Sequence, residues 1–369
     1  MEKLNEILSG KNINFLIGSG ASVPAYKTLS LGPNNPSLED LLSSDIMQDN
    51  SKKVLYYFYF KDWILPMTKI IDATTETEKK VLQNYKVFLK KLIEFLINES
   101  NEKPKRINIF TTNYDLMFEK TFQNILNEKT NCYFNDGSSG FINRTLNAQN
   151  FNLSISRTGY LDKYKNEVPT INLIKLHGSI SWHKAEDEII GVSYRNKYED
   201  FCIKNLDNVD FINDVVGLSE SNNYQVINEK LLEIYTQNKE NLDKFYEDYK
   251  SLSIINPNKW KFYETVFEQH YYQQLRNFSY ELEKEHAILI VFGFSFADEH
   301  VKEVFERALT NPTLKVYIIS YSEDGQNILK KFFKDNKIDF LPDFKQNKDG
   351  ITILGDFSYF NSLFGDSHD

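Results

Sequence analysis

At 369 residues, with 41% hydrophobic side chains including 28 Phe and 22 Tyr, the chain can fill a substantial core as one large domain or two smaller ones. Its net charge of −9 argues against nucleic-acid binding through bulk charge, because neutralising phosphates takes a basic surface. The only cysteines, Cys132 and Cys202, stand far apart, which excludes a four-cysteine zinc module and a disulfide framework and makes a reducing cytoplasm the expected compartment.

The opening MEKLNEILSGKN lacks the apolar core of a signal peptide. The longest apolar stretch, Ala287 to Ala297, is broken by Gly293 and is too short to span a bilayer, so no membrane partner is expected. Residues 2–9 read as a short helix with Leu4, Ile7 and Leu8 on one face. INFLI (13–17) reads as a strand and runs directly into Gly18, Ser19, Gly20, Ala21 and Ser22. Glycines there permit a tight turn and a close approach of phosphate to backbone N–H groups, although Val23 stands where a dinucleotide fingerprint has its third glycine. Residues 24–52, with prolines at 24, 33 and 36, read as a long loop over a site. At 78–98 a stripe of Val81, Tyr85, Phe88, Leu92 and Phe95 predicts a core-packed helix.

The stretch INIFTTNYDLMFEKTF (107–122) places a polar run at a strand-to-helix turn. Ile107, Ile109 and Phe110 read as the buried strand; Phe118, Phe122, Ile125 and Leu126 follow at helical spacing. Thr111, Thr112, Asn113, Tyr114 and Asp115 therefore sit at the carboxyl end of a strand, where open α/β sheets bind ligands. One such residue would suffice to cap a helix; five together point to a functional loop.

Residues 131–170 read as loops with short hairpins, NDGSSG (135–140) being the clearest turn. INLIKLHGSISWH (171–183) repeats the first architecture: an apolar strand, then His177, with Gly178 turning the chain and leaving the imidazole exposed at the rim. His177 and His183, six apart, lack the spacing of metal ligands on one helical face, so no metal is expected. Residues 184–250 read as an inserted helical subdomain, and SLSIIN (251–256) as a strand ending at Asn256. A helix at about 260–284 follows, carried by Tyr263, Phe267, Tyr271, Phe278 and Leu282. AILIVFGFSFADEH (287–300) is the next strand, breaking at Gly293, Phe294 and Ser295, with Asp298 placed to cap a helix. LKVYIIS (314–320) is a buried strand, 325–335 a helix, and GITIL (350–354) an edge strand before a frayed tail. The simplest architecture is a single α/β domain over 1–369, a Rossmann-like parallel sheet with helical insertions at about 40–100 and 184–250.

GSGAS (18–22), TTNYD (111–115), LHGS (176–179) and GFSFADEH (293–300), each after an apolar strand and in this order, resemble the sirtuin superfamily over about residues 12 to 322. The resemblance implies NAD bound in an extended groove at the strand ends. Gly18 to Ser22 match the phosphate-binding turn, Asn113 and Asp115 the pair beside the nicotinamide ribose, and His177 the active-site histidine. Gly293, Phe294 and Ser295 match the second turn along the cofactor, with Thr111, Thr112 and Asn256 as further candidate contacts at strand ends. Protein-deacylating sirtuins carry a zinc module, a glutamine where this chain has Thr112, and a PDFR-like segment where it has PAYK (24–27). The departures resemble instead the zinc-less bacterial sirtuin-like effectors of anti-phage defence, which hydrolyse NAD. Length and the lack of an appended domain are similar to the subunits of that group that work with a separate HerA-type ATPase. That resemblance implies NAD as substrate, Asn113, His177 and Asp115 as catalytic residues, and a homo-oligomer regulated by a partner. An NAD-dependent deacylase and a non-catalytic nucleotide-binding assembly subunit are the alternatives. The segments 54–63 (VLYYFYFKDW) and 184–250 are the candidate contact surfaces, the first being equally a core element.

Overall fold

A computed structural model describes residues 4–32, 35–100, 104–163, 165–186, 189–194, 198, 201–217, 223–257, 269–344 and 353–365. The strands of the first half are β1 (Asn12–Ile17), β2 (Arg106–Thr111), β3 (Tyr133–Asn135), β4 (Ser138–Ser139), β5 (Thr145–Leu146), β6 (Ser156–Thr158) and β7 (Lys165–Glu167). Those of the second half are β8 (Thr170–Lys175), β9 (Gly178–Glu186), β10 (Ile189–Val192), β11 (Leu252–Ile254), β12 (Ala287–Phe292), β13 (Lys315–Ile319) and β14 (Ile338–Leu341).

Seven strands form the central sheet in the order β14-β13-β12-β1-β2-β8-β3. Every neighbouring pair is parallel. Strands with both faces covered read as near-continuous apolar runs, which is why INFLI, INIF and AILIVF give no alternation. The chain leaves β1 toward β2, β8 and β3, then returns to place β12 on the other side of β1. That reversal between β1 and β12 is the switch point at which α/β sheets open a crevice. The fold is therefore α/β and Rossmann-like, and the four polar strand ends lie at the carboxyl edge of one sheet.

One polar feature crosses this apolar sheet. Asn14, Asn108, Asn172 and Asn135 occupy matching register positions in β1, β2, β8 and β3. All are buried, and each side-chain amide donates to the next: Asn108 to Asn14 at 2.9 Å, Asn172 to Asn108 at 2.8 Å and Asn135 to Asn172 at 2.9 Å.

Several expectations change. The proposed loop at 24–52 contains a helix, Leu38–Ser43, started by a Ser37/Asp40 capping box, and the next helix begins at Asp49. The aromatic segment 54–63 is not a contact surface: Tyr57, Phe58, Tyr59 and Phe60 are at most 1% exposed in the helix Asp49–Tyr59 and the π-helical turn Phe60–Ile64 that follows. Tyr56 and Tyr57 meet Tyr246 and Phe245 of the helix Tyr224–Tyr249, so the two helical insertions pack on each other. The 184–250 segment is helical late, in Tyr224–Tyr249, where its periodicity lies, but it opens on strand, because β9 continues to Glu186 and pairs with β10. SLSIIN forms β11, but antiparallel to β9 in a separate sheet. The helix expected at about 260–284 is described from Gln269 to Glu283; Tyr263 and Phe267 lie outside the described residues.

Among the described residues the last strand, at the sheet edge, is Ile338–Leu341; of GITIL, 350–352 lie outside the described residues and 353–354 form no strand. The tail is anchored by the helix Phe357–Ser362. Its Phe357 and Phe360 rings lie 4.9 and 4.6 Å from Phe292. No helix among the described residues is long and apolar enough to cross a membrane.

Candidate functional site

The first turn owes its glycines to packing. Gly293, at φ +65, lies against Gly20 and Ala21; a Cβ on Gly18 would fall 2.4 Å from the Gly293 carbonyl oxygen, and one on Gly293 would fall 2.6 Å from the Ala21 nitrogen. The Gly20 N–H donates to the Gly293 carbonyl at 2.9 Å, so this amide is committed to joining the turns after β1 and β12. Two strand ends thereby close on each other at the switch point. Phe294 is buried against Phe296, and Ser295 is exposed beside them.

The polar loop after β2 is held by its own side chains. Thr111 Oγ1 donates to the Ile17 carbonyl at 2.8 Å and accepts from the Asn113 N–H at 3.1 Å, which ties β2 to β1. Asp115 accepts from the Met117 N–H at 3.0 Å, starting the helix Met117–Asn127, and from Ser22 Oγ at 2.7 Å. Ser22 has one proton and spends it on Asp115, so the Tyr85 hydroxyl 2.9 Å away donates to Ser22. Burial, reinforced by the Asp115 charge, pushes the Tyr85 phenol well above its ordinary pKa and keeps it protonated.

Asn113 Nδ2 donates to the Gly18 carbonyl at 3.1 Å and to Ser22 Oγ at 3.4 Å. Its Oδ1 is buried and has no partner. The amide end is thus clamped and the carbonyl oxygen left over as an acceptor.

Beneath the loop lies a buried ion pair that sequence reasoning passed over. Lys175 Nζ is 2.9 Å from Glu119 Oε1, with side chains 3% and 7% exposed. The ammonium also donates to the Asp115 backbone carbonyl and to Ser179 Oγ. Burial raises the Glu119 pKa and the lysine opposes it. A lysine inside the apolar run INLIKL was the available signal.

His177 sits at the turn from β8 to β9 and is 3% exposed, not at an exposed rim. Gly178, at φ +86, makes that turn against the Ser253 carbonyl, and the His177 carbonyl accepts from the Ile255 N–H at 2.9 Å. His177 Nε2 lies 2.9 Å from His300 Nε2 and 3.9 Å from Asp298 Oδ1. Asp298 stands at the N-cap of the helix Glu299–Ala308 yet makes no capping bond, contrary to the expected role. The expectation of no metal rested on His177 and His183. His183 is exposed on β9, whereas His177, Asp298 and His300 bring donor atoms within 4.8 Å of one another, a span that one small cation could bridge. His300 was in view in the sequence, in GFSFADEH, but its approach to His177 depends on tertiary folding.

One cleft gathers Ser19, Ser22, Thr112, Asn113, Asp115 and His177, together with Tyr114 and Asp298. Its other wall is Tyr26 to Leu29, from the loop expected over the site, together with Tyr59, Trp63 and Met67, which the sequence did not reveal. Trp63 comes from the π-helical turn and pins the 26–29 loop by donating to the Thr28 carbonyl at 2.8 Å. Gly18, Gly20, Ala21, Thr111, Gly293, Phe294 and Ser295 are not among the residues lining this cleft. Neither is Asn256, which accepts from Tyr249 at 2.7 Å beyond the end of β11. Chemically the cleft offers an unpaired carboxamide oxygen, an imidazole, a carboxylate and aromatic walls.

Residues 107–341 match the family model of the SIR2-like domain. No curated protein sequence matches the chain.

Proposed function

The chain belongs to the SIR2-like domain family, and from that premise we propose that it hydrolyses NAD, water replacing nicotinamide on the ribose to give nicotinamide, ADP-ribose and a proton. The observation that carries the proposal is Asn113 Oδ1, a buried acceptor left unpaired in the cleft that also holds His177. Native proteins rarely leave such an atom without a partner, and a ligand hydroxyl or a water supplies one. Cleavage of a glycosidic bond builds positive charge on the ribose in an oxocarbenium-like transition state. The pyridinium is already a competent leaving group, so the protein needs to hold the ribose and aim a water.

In this reading Asn113 accepts from that water or from a ribose hydroxyl, and the neutral imidazole of His177 takes the proton released. Asp115 acts through Ser22, whose hydroxyl it orients beneath the Asn113 amide. Peptide deacylation is disfavoured because two cysteines cannot build the four-cysteine zinc module of deacylating sirtuins. We further propose a role as an NAD-depleting effector in anti-phage defence, assembled with a separate HerA-type ATPase. Incubation of the purified protein with NAD alone, and again with the co-expressed ATPase, tests the activity. Equal yields of nicotinamide and ADP-ribose are expected. Nicotinamide release only when an acylated peptide is added would replace this reading with deacylation, and NAD binding without turnover in both preparations would replace it with an assembly role.

A further inference from the structure

We infer that His300 is a positioning residue that sets the tautomer and orientation of His177. The two Nε2 atoms face each other at 2.9 Å, the ring centroids are 5.0 Å apart, and the side chains are 3% and 5% exposed. Two imidazole nitrogens at that distance cannot both present lone pairs or both present hydrogens; one donates and the other accepts. The contact therefore couples the two tautomers, and the Asp298 carboxylate 3.9 Å from His177 Nε2 favours the hydrogen on that nitrogen, so that His177 donates and His300 accepts. This matters for His177 because its backbone is held as well, by the Ile255 N–H on its carbonyl and by Leu176 donating to Thr111 at 2.8 Å. With backbone and ring both fixed, the histidine is held as the rest of the cleft is, before substrate arrives. Asp298, starting the same helix and not capping it, adds a negative charge 3.9 Å from His177 Nε2.

The inference deepens the NAD-hydrolase reading, but the hydrogen bond can be read without turnover. Selective ¹⁵N labelling of the six histidines, with long-range ¹H–¹⁵N correlation, reports the tautomer of each ring. Wild type is expected to show a single His177 tautomer, His300→Leu a mixture, and His300→Gln, whose amide can meet Nε2, a single form again. In the activity arm His300→Leu lowers kcat by ~100-fold, the scale of a misaimed catalytic group, with NAD affinity largely unchanged, and His300→Gln recovers a large part of it. Identical His177 ring shifts in wild type and folded His300→Leu would overturn the inference. So would one divalent cation per chain in wild type that is lost in His300→Leu, since the rings would then be ligands to an ion. A wild type that shows the single tautomer yet never cleaves NAD leaves the positioning role supported and removes the hydrolase reading.

Discussion

At the residue scale the cleft holds Asn113 by its amide nitrogen and leaves its carbonyl oxygen as a buried acceptor without a partner. Asn113→Ala removes the unpaired carbonyl and His177→Ala removes the proton acceptor, so each is expected to cut NAD cleavage by at least ~100-fold. Near-normal turnover by either folded variant, in a preparation where wild type is active, would take that residue out of the mechanism. Lys175 makes a different prediction, because it touches the loop from below. Lys175→Met strands Glu119 as an unpaired buried carboxyl and is expected to cost ~3–5 kcal/mol. Replacing both partners, Lys175→Met with Glu119→Leu, is expected to recover much of that, since apolar pairs often replace buried ion pairs without loss. Urea midpoints of the two variants decide it: a double variant no more stable than Lys175→Met would show that the backbone contacts of Lys175, and not its charge, hold the site.

At the scale of elements, the asparagine ladder fixes register across four strands. A slip of β2 against β1 or β8 would leave several buried amides unmatched, whereas the surrounding Ile and Phe side chains would tolerate many offsets. Asn108 occupies the middle, donating to Asn14 and accepting from Asn172. Asn108→Ala is expected to cost ~1–3 kcal/mol for the groups left unpaired, read as a lower urea midpoint with an unchanged slope; an unchanged midpoint would mean the ladder contributes nothing. The strand ends were legible in the sequence because an apolar run meeting a polar cluster is a local signal. The ladder was not, even though Ile-Asn recurs at 13–14, 107–108 and 171–172, because its meaning lies in pairings between distant strands. The second sheet was not legible for the same reason: β8 and β9 form one run in sequence, parted only by Leu176 and His177, with the left-handed Gly178 opening β9. The segment 54–63 could be read two ways because an aromatic run has no period of its own; Tyr246 and Phe245, almost two hundred residues on, decide it.

For the whole molecule, the strand ends of the cleft and the loop over it could be read from sequence, whereas the wall of Tyr59, Trp63 and Met67 and the approach of His300 to His177 required the fold. The same gap applies to assembly. A free NAD hydrolase would drain the cell's NAD, so the proposed activity calls for restraint, and we propose a homo-oligomer that assembles further on the ATPase. With the aromatic run 54–63 buried, the four most exposed large apolar side chains among the described residues stand on two hairpin tips. Phe141 and Ile142, between β4 and β5, are 105% and 95% exposed; Tyr160 and Leu161, between β6 and β7, are 89% and 69% exposed. Fully burying a side chain of this size gains ~1.5–3 kcal/mol, so contacts from both tips in a second copy could sustain a dimer. The expected result is an oligomer in light scattering at micromolar concentration, reduced to monomer by Phe141→Asp with Tyr160→Asp. Far-ultraviolet dichroism of that variant should match wild type, because neither side chain contributes to the core. A wild type that is monomeric and turns over NAD at full rate without a partner would sink the assembly proposal, and an oligomer indifferent to both substitutions would move the interface elsewhere.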